Sequence, residues 1–162
     1  MSQTANVITL KDLLAHPQFQ EGEFWYRQML PAEYLVFAEG EIGKEIYVIL
    51  SGKVSVCTRV EISDNRQMLS GLCELYDDDE FAHACFFDDQ PHSASIKTVT
   101  ECELAVIDAD KLRLFLDANS ELGYRLLTHW MQIILPRLRD GNKRMANLFS
   151  WGLKAHDMDT LI

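Results

Sequence analysis

Two imidazoles, a thiol and two hydroxyls lie close together between Asp77 and Ile96, in Asp-Asp-Asp-Glu-Phe-Ala-His-Ala-Cys-Phe-Phe-Asp-Asp-Gln-Pro-His-Ser-Ala-Ser-Ile. His83, Cys85 and His92 are competent metal ligands by type. A jelly-roll metal enzyme of the cupin kind, however, spreads several histidines and a glutamate over two strand motifs, and that pattern is missing, so no metal site is expected. The second chemistry is anion binding. A helix start beside a small-residue loop, here Ser93-Ala94-Ser95, offers unpaired N–H groups to a phosphate. Yet Asp77, Asp78, Asp79, Glu80, Asp88 and Asp89 line the same stretch. Geometry and charge therefore disagree. His16, His129 and His156 have no acid–nucleophile companions nearby in sequence, so neither a triad nor an acid–base pair can be built and no enzyme activity is expected. Cys57, Cys73, Cys85 and Cys102 are scattered with no C-x-x-C pair, which denies a four-cysteine iron–sulfur cluster; three of them sit in apolar strand-like or helical settings where buried free thiols are expected, in a reducing, cytoplasmic setting.

The stretch needs elements to hold it. Asp79 or Glu80 is expected to cap one helical turn, with Phe81, Ala84 and Cys85 turned inward. Asp88-Asp89-Gln90-Pro91 reads as a turn, because Asp side chains bond their own backbone and Pro fixes φ. Upstream, residues 1–8 lack charge and periodicity and read as a tail. Thr9 caps a short helix over Leu10 to Leu14, with Asp12 at the third position, and Pro17 closes it. Phe19 to Leu30, rich in aromatics, reads as a helix or turn packed on the core. From Glu33 the period changes: Tyr34 to Phe37, Ile46 to Leu50, and Lys53 to Val60 are strands, with Ser51-Gly52 a tight reversal. Asp64-Asn65 is a hairpin tip leading into Gln67 to Tyr76. Ala94 to Val99 and Cys102 to Ile107 complete about six to eight strands in hairpin succession, the pattern of a sandwich or jelly roll.

At Asp108 the helical period returns. Asp108 or Asp110 caps a helix carrying Leu112, Phe115 and Leu116, which stops near Asn119-Ser120. A longer helix runs from Leu122 toward Asp140, kinked at Pro136 and ended by Asp140-Gly141-Asn142, with a further short helix around Met145 to Trp151 and a polar tail from Lys154. It carries two apolar stripes. Leu122, Leu126, Trp130 and Ile133 form one; Leu127, Met131, Ile134 and Leu138 form the other at 4-3-4 spacing. One stripe suffices to pack against a sheet. The second fits a partner helix from another copy of the chain, the alternative being a helix buried on two sides within one monomer.

A chain of 162 residues suits one domain with a real core. Its net charge of -10 disfavours both nucleic acid and anionic membrane, and no apolar run is long enough to span a bilayer. No G-x-x-x-x-G-K or G-x-G-x-x-G motif is present.

Taken in order, Phe37-Ala38-Glu39-Gly40-Glu41-Ile42-Gly43, Tyr47 to Val54, the helix–loop from Phe81 to Ile96, Cys102 to Ile107 and the paired helices resemble the cyclic nucleotide-binding domain of the catabolite activator family, over roughly Phe19 to Asp140. The resemblance implies a mainly β fold of the α+β kind: a double-stranded β-roll (about 33–107), N-terminal helices, and helices over about 108–140 ending in a long one that covers the ligand and dimerises. Residues 1–18 would form a tail and short helix, 19–140 the domain, and 141–162 an extension too short for the helix-turn-helix module the family often appends. In the family, cAMP or cGMP sits on a phosphate-binding cassette. Carried over, its positions fall on Phe81, Ala82, His83, Ala84, Cys85, His92 and Ser93. The usual glycine is Ala82, the ribose-binding glutamate is His83, and the phosphate-binding arginine is His92; only the hydroxyl of Ser93 and backbone N–H groups are kept. Loss of two charge-assisted partners at about 1.5–3 kcal/mol each weakens binding roughly a hundredfold to ten-thousandfold, with protonation of His92 expected to restore part of the attraction below about pH 6.5.

The expectation is a non-catalytic regulatory or adaptor domain with no cofactor, cAMP or cGMP binding being disfavoured. It would be homodimeric through Leu127, Met131, Ile134 and Leu138, and engage a protein partner but neither nucleic acid nor membrane. One alternative is a small-molecule sensor with an altered nucleotide pocket; a second is a cupin-like metal protein.

Overall fold

The structure, a computed structural model, describes residues 7–63 and 66–155. The proposed hairpin tip at Asp64-Asn65, most of the N-terminal tail and the end of the polar C-terminal tail lie outside these residues. One compact unit spans Thr9–Glu121 and a second contains the chain from Leu122.

In the first unit, α1 (Leu10–Leu14) opens with the expected capping box: Thr9 accepts from the Asp12 N–H, and the Asp12 carboxylate accepts from the Thr9 N–H at 2.8 Å. Leu10 and Leu13 point into the core. Eight strands follow among the described residues: β1 (Trp25–Leu30), β2 (Leu35–Phe37), β3 (Glu45–Ser51), β4 (Val54–Ser63), β5 (Arg66–Leu75), β6 (Glu80–Phe81), β7 (Ser95–Thr98) and β8 (Cys102–Asp108). They make two four-stranded antiparallel sheets, ordered β1-β8-β3-β6 and β2-β7-β4-β5. This is the jelly-roll arrangement expected from the hairpin succession.

One segment corrects the sequence reading. Trp25 to Leu30 is a strand, paired residue for residue with β8 from Trp25–Ile107 to Leu30–Cys102. Its alternation is masked because only its two ends, Trp25 and Leu30, are buried. The core between the sheets is built from Phe37, Tyr47, Ile49, Val54, Phe81, Ile96, Leu104 and Val106 among others. β3 and β8 are buried along most of their length, as central strands covered on both faces must be. Asp108 ends β8 and caps α2 (Ala109–Ala118), its carboxylate accepting from the Lys111 N–H at 2.9 Å. Leu112, Phe115 and Leu116 are the buried face of α2, and Asn119 closes it, all as expected.

α3 (Ser120–Ala155) begins at the end of the first unit and makes up the described part of the second from Leu122, 36 residues without a break and with Pro136 inside it. The expected stop at Asp140-Gly141-Asn142 and the separate short helix after it do not occur. A single interior glycine costs only about 1 kcal/mol relative to alanine, and the flanking Arg139, Lys143, Arg144, Met145 and Ala146 are good helix formers that outweigh it. Of the two apolar stripes, Leu126 and Trp130 in the first are fully buried, whereas Met131, Ile134 and Leu138 in the second are exposed. Among the described residues no helix is long and apolar enough to cross a membrane.

Candidate functional site

The cassette begins differently from expectation. Glu80 and Phe81 are not the start of a helix; they form β6, hydrogen-bonded to Val48 and Tyr47 of β3. Ala82 follows with φ +65°, in the left-handed region that a glycine would occupy without strain, and a short 3-10 turn covers His83–Phe86. No side chain caps that turn. Phe81 is buried and stacks on Tyr47 at 4.8 Å, but Ala84 is exposed, and it is Phe86 rather than Cys85 that fills the core side of the turn. Arg113 of α2 lies over the Phe86 ring at 4.6 Å.

The acids are occupied with the fold itself. Asp77 accepts from the Gly52 N–H at 2.8 Å, Asp78 pairs with Lys11, and Asp79 accepts from the Tyr76 N–H at 2.8 Å. Three consecutive carboxylates therefore tie down a turn, a helix and their own loop, and neither Asp79 nor Glu80 serves as the helix cap read from sequence. Asp88 does form the expected turn, accepting from the Gln90 N–H at 3.1 Å, and Asp89 pairs with Lys44 at 3.3 Å.

Glu80 has the role that sequence reasoning missed. It is 4 % exposed. One carboxylate oxygen accepts the Leu10 N–H at 2.6 Å and the other meets His83 Nε2 at 3.2 Å. The first N–H of α1 is thus satisfied by a side chain of β6, and the His83 imidazole is turned to that carboxylate. No local signal marks this: the donor lies 70 residues away.

His92 is equally engaged. Its ring stacks on Phe37, with centroids 3.9 Å apart and planes at 20°. Its backbone bonds the turn beneath: His92 N–H donates to Glu41 O at 2.8 Å, and Gly40 N–H donates to His92 O at 2.9 Å. The ring also sits over Gly43, where an added Cβ would come within 2.7 Å of Nε2. Glycine at position 43 is the sequence trace of this contact. Burial pushes the His92 pKa below its ordinary value, only partly opposed by Glu41 and Glu45. Protonation near pH 6.5, the expected route to anion attraction, is therefore displaced to lower pH.

Cys85 donates toward Ala82 O at 3.1 Å, and burial pushes its thiol up to about 11, so it is a poor thiolate at neutral pH. Ser93 is exposed beside His92. His83, Cys85 and His92 are not brought together: among the described residues no group of three or more His, Cys, Asp or Glu is placed to hold a metal ion. The cupin-like alternative therefore finds no support. All four cysteines are free; Cys57 and Cys102 are buried, Cys85 is half-buried and Cys73 is exposed.

A cyclic phosphate asks for a cation and a ribose hydroxyl asks for a carboxylate. Here the two matching positions carry an imidazole stacked on a phenyl ring and an imidazole facing a carboxylate.

The profile of the cyclic nucleotide-binding domain family matches residues 27–119. A CRP-like cAMP-activated global transcriptional regulator of Mycobacterium tuberculosis is 35 % identical over 118 residues, which cover 73 % of this chain and 49 % of that protein. The chain thus spans about half the length of the curated relatives it matches. Among solved structures, a cyclic nucleotide-binding domain from Methylobacillus flagellatus superposes with TM-score 0.66 at 21 % identity, covering 76 % of this chain and 67 % of the other. The Thermus thermophilus catabolite activator protein gives TM-score 0.64 at 20 % identity, covering 76 % and 55 %. At such identities the two structures speak for the fold.

Proposed function

The chain belongs to the cyclic nucleotide-binding domain family, and from that premise we propose that it is a non-catalytic regulatory domain whose hold on cAMP or cGMP is lost or weakened and which acts by dimerisation and protein contact. The observation that carries the reading is the His92 ring, stacked on Phe37 and seated over Gly43 at the position where the family presents an arginine to the phosphate. The Glu80–His83 contact supports it from the ribose side. Curated relatives are named as cAMP-activated regulators, which supports a regulatory role here.

Dimerisation is supported by the second stripe of α3. Met131 is 50 % exposed and Leu138 57 %, with Ile134 beside them. The same 4-3 spacing runs on through Gly141 to Met145 and to Leu148, 68 % exposed. Several large apolar side chains at heptad spacing fit a second copy of the helix better than water. Four free thiols and the family's regulatory character support a cytoplasmic setting.

Isothermal titration with cAMP and cGMP at neutral pH tests the central claim. No heat at micromolar protein and ligand is the expected result; micromolar or tighter affinity for either nucleotide overturns it.

A further inference from the structure

We infer that β5 is a pairing edge at which a second copy of this chain adds its own β5 in antiparallel orientation, a contact separate from the α3 stripe.

Four strands end the two sheets: β1 and β6 in one, β2 and β5 in the other. Three are blunted. β6 has two residues and β2 three, too short to template a partner, and β1 carries Arg27 at its centre, held by Glu21 and Glu103. β5 has ten residues and pairs with β4 alone. In an antiparallel ladder alternate residues turn their N–H and C=O away from the neighbour, so half of this strand's main-chain groups face outward. Among the described residues no other strand takes them up.

The side chains do not guard the edge either. Natural edge strands are protected by lysine, proline, inward charge or a β-bulge. From Met68 to Leu75 there is neither Lys nor Pro, and the one charge, Glu74, is already engaged by Lys53 and the Tyr76 hydroxyl. Met68, Leu69 and Leu72 are each about half exposed and Cys73 is exposed. The pairing with β4 has two register shifts, one at Val56/Cys57 that leaves Leu72 unmatched and one at Glu61/Ser63 near the far end of the strand.

The occupant is argued from charge and symmetry. Thr9–Glu121 carries nine Lys and Arg against 22 Asp and Glu, so most of the surface of this unit repels another copy. The stretch 68–73 carries no charge and presents Met68, Leu69 and Leu72. An antiparallel two-fold within it opposes apolar residues, holds the two Glu74 side chains off the axis and satisfies both edges at once. With the α3 contact it would give two different two-fold seams on one chain, hence tetramers or open chains rather than a closed pair.

The test uses the full chain in two measurements. The first is a single-cysteine scan over positions 68 to 73 in a Cys73→Ser background, with native Cys73 as the last position, under mild oxidation. An antiparallel two-fold predicts a disulfide-linked dimer that peaks at the axis and falls off on both sides. The second is sedimentation velocity over a range of concentrations for the wild type, Leu69→Lys, Met131→Glu and the double variant. In the Met131→Glu background a concentration-dependent dimer is expected to persist, and adding Leu69→Lys should raise its apparent Kd at least about tenfold. Failure of the α3 contact would appear separately, as a Met131→Glu protein of unchanged mass. A flat crosslinking profile, or masses that Leu69→Lys leaves unmoved in both backgrounds, overturns the inference.

Discussion

Replacing Glu80 with alanine isolates the contact that joins β6 to the N-terminal helix. The substitution takes the 2.6 Å acceptor from the Leu10 N–H and the 3.2 Å partner from His83 Nε2, at a carboxylate only 4 % exposed. Leu10 is itself fully buried, so water does not readily replace the lost acceptor. A hydrogen bond to a charged acceptor contributes about 1.5–3 kcal/mol, and stranding a buried donor costs a similar amount. Because both contacts share one carboxylate they are not additive, and a total of roughly 3–4 kcal/mol is expected. For a chain of this size that lowers Tm by roughly 6–16 °C. Glu80→Gln keeps an acceptor for Leu10 but exchanges one oxygen for an NH₂ group, and should cost less than half as much. The assay is urea unfolding at constant m-value, with hydrogen exchange of the Leu10 amide read alongside. A Glu80→Ala protein within about 0.5 kcal/mol of wild type, or an unchanged Leu10 protection factor, refutes the reasoning.

Gly43→Ala should drive the His92 ring off Phe37, since the new Cβ would stand 2.7 Å from Nε2. The stack and the overpacking together predict a loss of about 1–4 kcal/mol, read by urea unfolding, with a change in the His92 ring shifts by NMR. Burial lowers the His92 pKa in the folded state, so the unfolded chain takes up its proton first. Stability from this residue is therefore complete above the ordinary histidine pKa of about 6.5 and is lost as pH falls through that value toward the folded pKa. His92→Gln should flatten the acid limb of the stability–pH curve, and an unaltered slope would exclude His92 as its source. Met131→Glu sets two carboxylates against each other in the proposed α3 seam and should raise the Kd of that seam at least about a hundredfold, seen in light scattering as loss of the larger assemblies down to the β5-paired dimer, and as monomers once Leu69→Lys is added.

Local chemistry made much of this chain legible in one dimension. The Thr9–Asp12 capping box, the Asp108 cap, the buried runs of β3 and β8 and the two stripes of α3 each depend on residues within a turn or two, and the order of strand-like segments carried the jelly roll with them. A local breaker does not decide a long helix: Asp140-Gly141-Asn142 is a plausible stop in isolation, yet α3 passes through it on the summed propensity of its neighbours. Other features depend on partners far along the chain. Trp25 to Leu30 becomes a strand because β8 offers it a ladder, and the three consecutive aspartates become ties because Gly52, Lys11 and Tyr76 arrive beside them. Glu80 turned from a presumed cap into the acceptor for Leu10, and His92 from a presumed anion ligand into a ring packed between Phe37 and Gly43. Composition and spacing could name the groups at the site. Which of them face a ligand and which are consumed by the core depends on distances across the fold, and those exist only once the chain has closed on itself.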